Sequence, residues 1–329
     1  MRILVANNHL QKTGGTENYT YALALQLKKM GHDVEYFTFA KGAVSDLLEQ
    51  AGVGFMSRSE YDLILANHRT TVRHLQSYGF LIQTCHGTIP YLEQPSVFAD
   101  AYVSITEEVK SHLRKKGFRS EIIYNGVDCE RFRPLRPVSD RLSSVLSLCQ
   151  SDQINRFIRE CCEECGIEFH SSNKHTDNVW SIEEMINKAD LVIGIGRSIY
   201  DAMACGRCVM SYDKRTYLNG EFGDGYLDED NFDKALMYNC SGRGLRLTFP
   251  KAEFIEQMMK YNPEDASWAR EKALELFDIK VSAEKYLKYY YSIDKGNAGL
   301  RRCRKVFCSG VVAVINFFRS IKHGLKRKR

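Results

Sequence analysis

Short apolar runs alternate with helical patterns along this chain, in two series separated by a break, and that rhythm constrains the fold more than any other feature. In the first series the runs lie at 2–7, 34–39, 62–66, 80–85, 101–105 and 122–124, with helical patterns at 17–30, 70–78 and 106–116. Tyr19, Leu23, Leu27 and Met30 recur at helical spacing, and Gly31 stops that helix. Strands that are apolar throughout and joined by helices imply a parallel sheet covered on both faces. The alternation restarts with strands expected at 145–148 and 167–170 and helices at 152–165 and 181–188. Strand, glycine turn, helix and strand follow within 189–213, then an acidic, glycine-containing loop at 220–233 and helices at 253–261, 265–277 and 283–292. The break at 125–144 carries two of only six prolines. With 329 residues the chain exceeds the usual size of one core. The expected organisation is α/β, with a Rossmann-like domain at 1–125, a linker at 126–144, a second Rossmann-like domain at 145–299 and a tail at 300–329.

Charge is distributed unevenly. The net charge is +5, yet 301–329 holds ten Lys or Arg and no acid, which leaves 36 basic against 41 acidic residues elsewhere. A mildly acidic body with a basic tail points to a local anionic partner, not to a general nucleic-acid binder. The tail has an apolar centre at 311–318 flanked by cations, a pattern that fits an amphipathic helix in the surface of an anionic membrane. A packed terminal helix and a nucleic-acid contact are the alternatives. No run approaches the roughly 18 apolar residues of a spanning helix, and the run 3–6 is too short for a signal peptide. The expected location is therefore cytoplasmic, peripheral on the inner face of the membrane. The eleven cysteines are read as reduced thiols. Cys161, Cys162 and Cys165, with Cys205 and Cys208, raise zinc as the less favoured alternative, because they do not close a four-ligand set.

Two glycine turns carry the chemistry. Gly14, Gly15 and Thr16 lie between the first strand and first helix, where a bare backbone and a helix N-terminus suit a phosphate or a sugar hydroxyl. The alternative is a tight turn capped by Thr16. The stretch lacks the GxGxxG fingerprint, which disfavours a nicotinamide cofactor and an oxidoreductase. In the second turn Gly196 ends a strand, Arg197 is placed to meet a phosphate, and Ser198 is a candidate N-cap with Asp201 three residues on. Asp201 either caps the helix or accepts hydrogen bonds from ribose or sugar hydroxyls.

Three stretches, "GGTENYTYALALQLKKMGHDV", "SITEEVKSHLRKKG…IIYNGVDCERFRP" and "ADLVIGIGRSIYDAMACGRCVMSYD", resemble the retaining family 4 glycosyltransferases of the GT-B fold. The resemblance spans about 1–290. It implies two Rossmann-like domains facing each other across a cleft. It also implies transfer of a sugar from a UDP- or GDP-linked donor to a lipid-linked or glycan acceptor, with retention and without metal or further cofactor. On this resemblance Gly14 and Gly15 lie against donor phosphate or acceptor, and His86 faces the transferred sugar. Gly196, Arg197 and Ser198 surround the diphosphate, and Asp201 is the second acid of an E-x7-E pattern. The first acid falls at Ile193, and the usual Arg and Lys are missing from 145–157, which leaves Arg197, Lys214 and Arg215 to neutralise the diphosphate. The triplet Asp228, Glu229, Asp230 superficially matches a metal-binding DxD and is read as a solvated loop. A non-catalytic protein that binds a nucleotide sugar, or partners a glycosyltransferase, is the alternative function.

Overall fold

The computed structural model describes residues 1–173, 180–214 and 221–294. The first sheet is built from β1 (Arg2–Ala6), β2 (Asp33–Phe37), β3 (Gly54–Phe55), β4 (Tyr61–Ala66), β5 (Gly79–Cys85), β6 (Ala101–Ser104) and β7 (Glu121–Ile122). All its pairs are parallel, in the order β3-β2-β1-β4-β5-β6-β7. Helices α1 (Gly15–Lys29), α2 (Ala43–Gln50), α3 (Arg69–Leu75) and α4 (Glu107–Lys115) make the crossovers. Two apolar clusters cover the sheet. One joins Ile3, Val5, Leu63 and Leu65 to Leu23 and Leu27 of α1, and the other joins Leu4, Ile64 and Leu81 to Val72 and Leu113. Ile3, Leu4 and Ile64 have no accessible surface, which is why these strands read as continuous apolar runs.

The second sheet holds β8 (Ser144–Ser147), β9 (Glu168–Ser171), β10 (Leu191–Gly194), β11 (Cys208–Lys214) and β12 (Glu221–Leu227), in the order β12-β11-β10-β8-β9. Around it lie α5 (Asp152–Glu164), α6 (Ile182–Ile186), α7 (Arg197–Ala204), α8 (Phe232–Leu236), α9 (Lys251–Met258) and α10 (Glu264–Leu276), and α11 (Ile279–Ser292) follows. Here the structure corrects an expectation: much of the loop placed at 220–233 is β12, paired antiparallel to β11. Its glycines serve pairing and not a turn. A Cβ on Gly223 would lie 2.2 Å from the Ser211 carbonyl, at the irregularity in register between Ser211 and Tyr212.

Each sheet reverses its strand order once, between β1 and β4 in the first and between β8 and β10 in the second. Ligands of open α/β sheets bind beyond the carboxyl ends of strands at such reversals. Two adjacent segments cross between the domains. The Val127 N–H donates to the Phe277 carbonyl at 2.6 Å, and the Ile279 N–H donates to the Val127 carbonyl at 2.8 Å. After this crossing α11 returns to the first domain, where Ile279, Ala283, Tyr286 and Tyr290 join the cluster of Leu23 and Leu27. The stretch expected as a linker is held to the second domain by two guanidinium groups. Arg270 donates to the carbonyls of Cys129, Phe132 and Ala204, and the fully buried Arg207 donates to those of Arg136, Ala189 and Cys205.

Candidate functional site

The two reversals face one cleft of about 1130 Å³, lined by both domains. On the first-domain wall, the Gly14 and Gly15 turn leads into α1 with Gly14 as N-cap and no side-chain cap, so Thr16 does not cap the helix. Glu17 folds back over the turn instead. A Cβ on Gly14 would stand 2.2 Å from Glu17 Oε2, while Oε1 pairs with His9 Nδ1 at 2.9 Å and the carboxylate is almost fully buried. The α1 N-terminus, expected to offer itself to a phosphate, thus already carries a carboxylate.

His86 stands at the end of β5 in the same wall. Its Nε2 meets Asn67 Oδ1 at 3.0 Å, and Asn67 Nδ2 donates to Thr20 Oγ1 at 2.8 Å. The amide oxygen therefore requires the proton on Nε2, which leaves Nδ1 an acceptor; that atom is shielded, makes no hydrogen bond of good geometry, and has Asn125 beside it. Burial, aided by neighbouring His68 and opposed by a hydrogen bond to Asn125, pushes the ring down to about 3, so it is neutral at pH 7. His68, accepting from the Asn8 N–H at 3.3 Å, is held down at about 4 by burial and by His9. Both rings resist protonation in the folded state while the unfolded chain takes up protons near 6.5, so their contribution to stability is lost as pH falls through that window. Glu93, raised to about 7 chiefly by burial, acts in the opposite sense. Urea midpoints are expected to be lower at pH 5 than at pH 7, and the gap should narrow in His68→Gln; equal gaps would reject the buried-histidine account.

The second-domain wall is built on the turn before α7. Gly196, not Ser198, is the N-cap, with φ 61° and ψ −124°, and Ser198 lies within the helix. This corrects the expected capping role of Ser198, although Gly196, Arg197, Ser198 and Asp201 all reach the cleft. Arg197 Nε donates to Asp201 Oδ1 at 2.8 Å, and the two side chains are 13% and 8% exposed. The Arg197 Nη1 is shielded and has no partner. Burial pushes the Asp201 carboxyl up, opposed by the guanidinium beside it. Ile193, where the resemblance places a first acid, is fully buried in the apolar cluster of Val145, Leu191 and Met210. Lys214 is not part of the cleft wall: its Nζ donates to Gln153 Oε1 at 2.9 Å. Arg215 lies outside the described residues, as does the tail at 300–329. Two cations that sequence reasoning missed line the cleft, Lys12 and Arg243, and Arg243 forms a two-pronged pair with Glu108 of the first domain.

Comparison with known proteins decides the architecture. The structure aligns with that of Anabaena HepE in complex with UDP and glucose at a TM-score of 0.59 and 16% identity, covering 89% of this chain and 100% of that one. The fold is GT-B. A second GT-B neighbour is the pneumococcal O-GlcNAc transferase GtfA in complex with UDP and GlcNAc, at TM-score 0.56 and 9% identity, covering 88% and 98%. Acinetobacter baumannii MurG aligns at TM-score 0.50 and 10% identity, covering 89% and 99%. Within this GT-B chain, residues 13–131 match the family model Glycosyltransferase Family 4. No curated protein matches the sequence.

Among the described residues no group of His, Cys, Asp or Glu is arranged to hold a metal ion, and no helix is long and apolar enough to cross a membrane. Cys161, Cys162, Cys205 and Cys208 are buried free thiols, and Cys165 is exposed. Asp228 of the acidic triplet accepts from the N–H groups of Asp230 and Asn231, closing a turn.

Proposed function

We propose that the protein is a glycosyltransferase that moves a sugar from a UDP- or GDP-linked donor to a glycan or lipid-linked acceptor, with retention of configuration and without a metal. The observation that carries this reading is the unpartnered Nη1 of Arg197, a residue of the cleft wall at the N-terminus of α7, whose N-cap Gly196 supplies no side-chain cap. A shielded guanidinium nitrogen without a partner is costly, and a diphosphate at a helix N-terminus satisfies it. The family match over 13–131 supports the transferase class, and the presence of UDP in the HepE and GtfA structures supports a nucleotide donor.

In this reading Arg197 stabilises charge on the departing diphosphate, and Asp201 fixes the guanidinium through Nε. His86 is neutral and accepts a hydrogen bond from a hydroxyl of the transferred sugar at Nδ1. The acceptor hydroxyl arrives on the face from which the diphosphate leaves, and no protein nucleophile takes part. Closure about the crossing at Val127 and Ile279 excludes water from the donor.

The test is incubation of the pure protein with UDP-, GDP- and ADP-sugars, reading nucleotide release with acceptor-rich membranes present. Release from one donor is the expected result; tight nucleotide binding without release would favour the non-catalytic alternative. We further propose that 300–329 holds the enzyme on an anionic membrane surface facing the cytoplasm. Deleting these residues should abolish sedimentation with phosphatidylglycerol liposomes, and equal binding by the truncated protein would refute the proposal.

A further inference from the structure

The loop that follows α8 is tied on one side to the first domain and on the other to the turn before α7. Glu108, in the first turn of α4, belongs to the first domain and is not part of the cleft wall. Its N–H, one of those that a helix start leaves free, donates to the Met237 carbonyl at 3.1 Å. Its carboxylate grips Arg243 twice, taking Nε at 3.0 Å and Nη2 at 2.6 Å, and the two side chains are 18% and 20% exposed. Arg243 Nη2 also reaches the Tyr238 carbonyl at 3.4 Å, which ties the guanidinium to its own loop.

The middle of this loop backs the turn of Gly196. The Gly196 N–H donates to the Cys240 carbonyl at 3.1 Å, and the same carbonyl accepts from the Ser211 hydroxyl at 3.2 Å. Asn239 stands against the bare face of Gly196, with Nδ2 3.0 Å from where a Cβ would lie, and accepts from the Tyr200 hydroxyl of α7 at 2.9 Å. Asn239 and Cys240 are both left-handed, at φ 63° and 43°, a conformation that residues other than glycine keep only where their surroundings impose it. Asp224 supplies one restraint, accepting from the N–H groups of Gly242 and Leu245 at 2.8 and 3.2 Å. The grip of Glu108 on Arg243 supplies another, from the other domain.

We infer that Glu108 is a positioning residue of the donor site: through Arg243 it fixes the loop that sets the turn of Gly196, so this turn takes its working geometry only while α4 is docked. The inference rests on the reading of the α7 turn as the diphosphate site and goes beyond it, because it gives a first-domain residue that touches no substrate control over the second domain's turn. Coupling of this kind is reciprocal, so nucleotide bound at the α7 turn tightens the contact with α4.

The experiment uses the full chain and two readouts. Hydrogen exchange read by mass spectrometry, without nucleotide, should be faster in Glu108→Gln over 195–204 as well as over 107–115 and 237–244. Affinity for whichever of UDP and GDP binds, read by calorimetry, should fall by at least about fivefold, the lower end of the usual coupling between two sites. Because Glu108→Gln strands a mostly buried guanidinium, the double variant Glu108→Gln, Arg243→Gln is measured beside it; it should melt near the parent and still exchange fast over 195–204. Glu108→Asp, which keeps the charge, should recover part of both signals. Unchanged exchange over 195–204 while 107–115 and 237–244 loosen would overturn the inference and leave Glu108 a clasp between domains. Unchanged or tighter nucleotide binding in Glu108→Gln would overturn it too, the tighter case meaning that Glu108 competes with the nucleotide for Arg243. Faster exchange over 195–204 in a protein that binds neither nucleotide would uphold the coupling and reject the α7 turn as a diphosphate site.

Discussion

Replacing Arg197 by alanine is expected to lower nucleotide release from the sugar donor by roughly 10²–10³-fold, the usual cost of one lost electrostatic contact to developing charge. The guanidinium is anchored on one side, since Nε is committed to Asp201 at 2.8 Å, while its Nη1 is shielded and has no partner. The substitution also strands a buried carboxylate, and breaking such a pair by removing one partner costs about 3–5 kcal/mol. Loss of activity in Arg197→Ala alone would therefore confound binding with folding. The double variant Arg197→Ala, Asp201→Asn removes the stranded charge, and it should recover most of the melting temperature while remaining slow. Arg197→Lys keeps the charge but loses the fork that serves two partners at once, so it too should stay well below the parent. Turnover near the parental rate in the double variant would remove Arg197 from the donor site.

Gly196→Ala should be nearly as damaging for a different reason. At φ 61° and ψ −124° the backbone occupies a region open to glycine and strained for any side chain, which costs on the order of 1–3 kcal/mol. A Cβ there would also stand 3.0 Å from Asn239 Nδ2, and Asn239 is itself fixed by the Tyr200 hydroxyl at 2.9 Å. Relief of this strain must move the first turn of α7, and with it the N–H groups proposed to hold the diphosphate. Nucleotide affinity should fall by about tenfold or more, read by calorimetry. Gly15→Ala is the matched control, because a Cβ at Gly15 meets nothing within 4 Å and its backbone needs no positive φ. Equal affinities in the two variants would show that the α7 turn does not hold the nucleotide.

Much of this architecture is legible in the sequence. The strands of the first sheet are buried on both faces, so their apolar runs stand out, and the helix of Tyr19, Leu23 and Leu27 is marked by spacing and by Gly31. β12 is not legible, because the glycines demanded by its pairing with the irregular end of β11 imitate a loop. α2 and β3, of eight and two residues, are too short to show a period. At the site, Gly196, Arg197 and Asp201 are legible together, since one short stretch of sequence holds them all. The salt bridge between Arg197 and Asp201 follows from their i, i+4 spacing, but the orphaned Nη1 depends on burial and leaves no mark in sequence. That Glu17 folds back over Gly14 is equally invisible in the sequence. Arg243 and Glu108 are 135 positions apart, and no local pattern joins them.

The return of α11 to the first sheet has a topological consequence. Counted by packing, the first domain is made of the two ends of the described chain, and the second domain is an insert that is entered at Val127 and left at Phe277 through neighbouring strands. An insert tied at two adjacent points can swing about that edge but cannot drift away, so cutting either strand alone would not free it. Any anchor attached beyond residue 294 pulls on the first domain, to which Tyr290 is fastened through the Asp62 carbonyl. With that body held against a surface, the inserted second domain is the part left to open and shut.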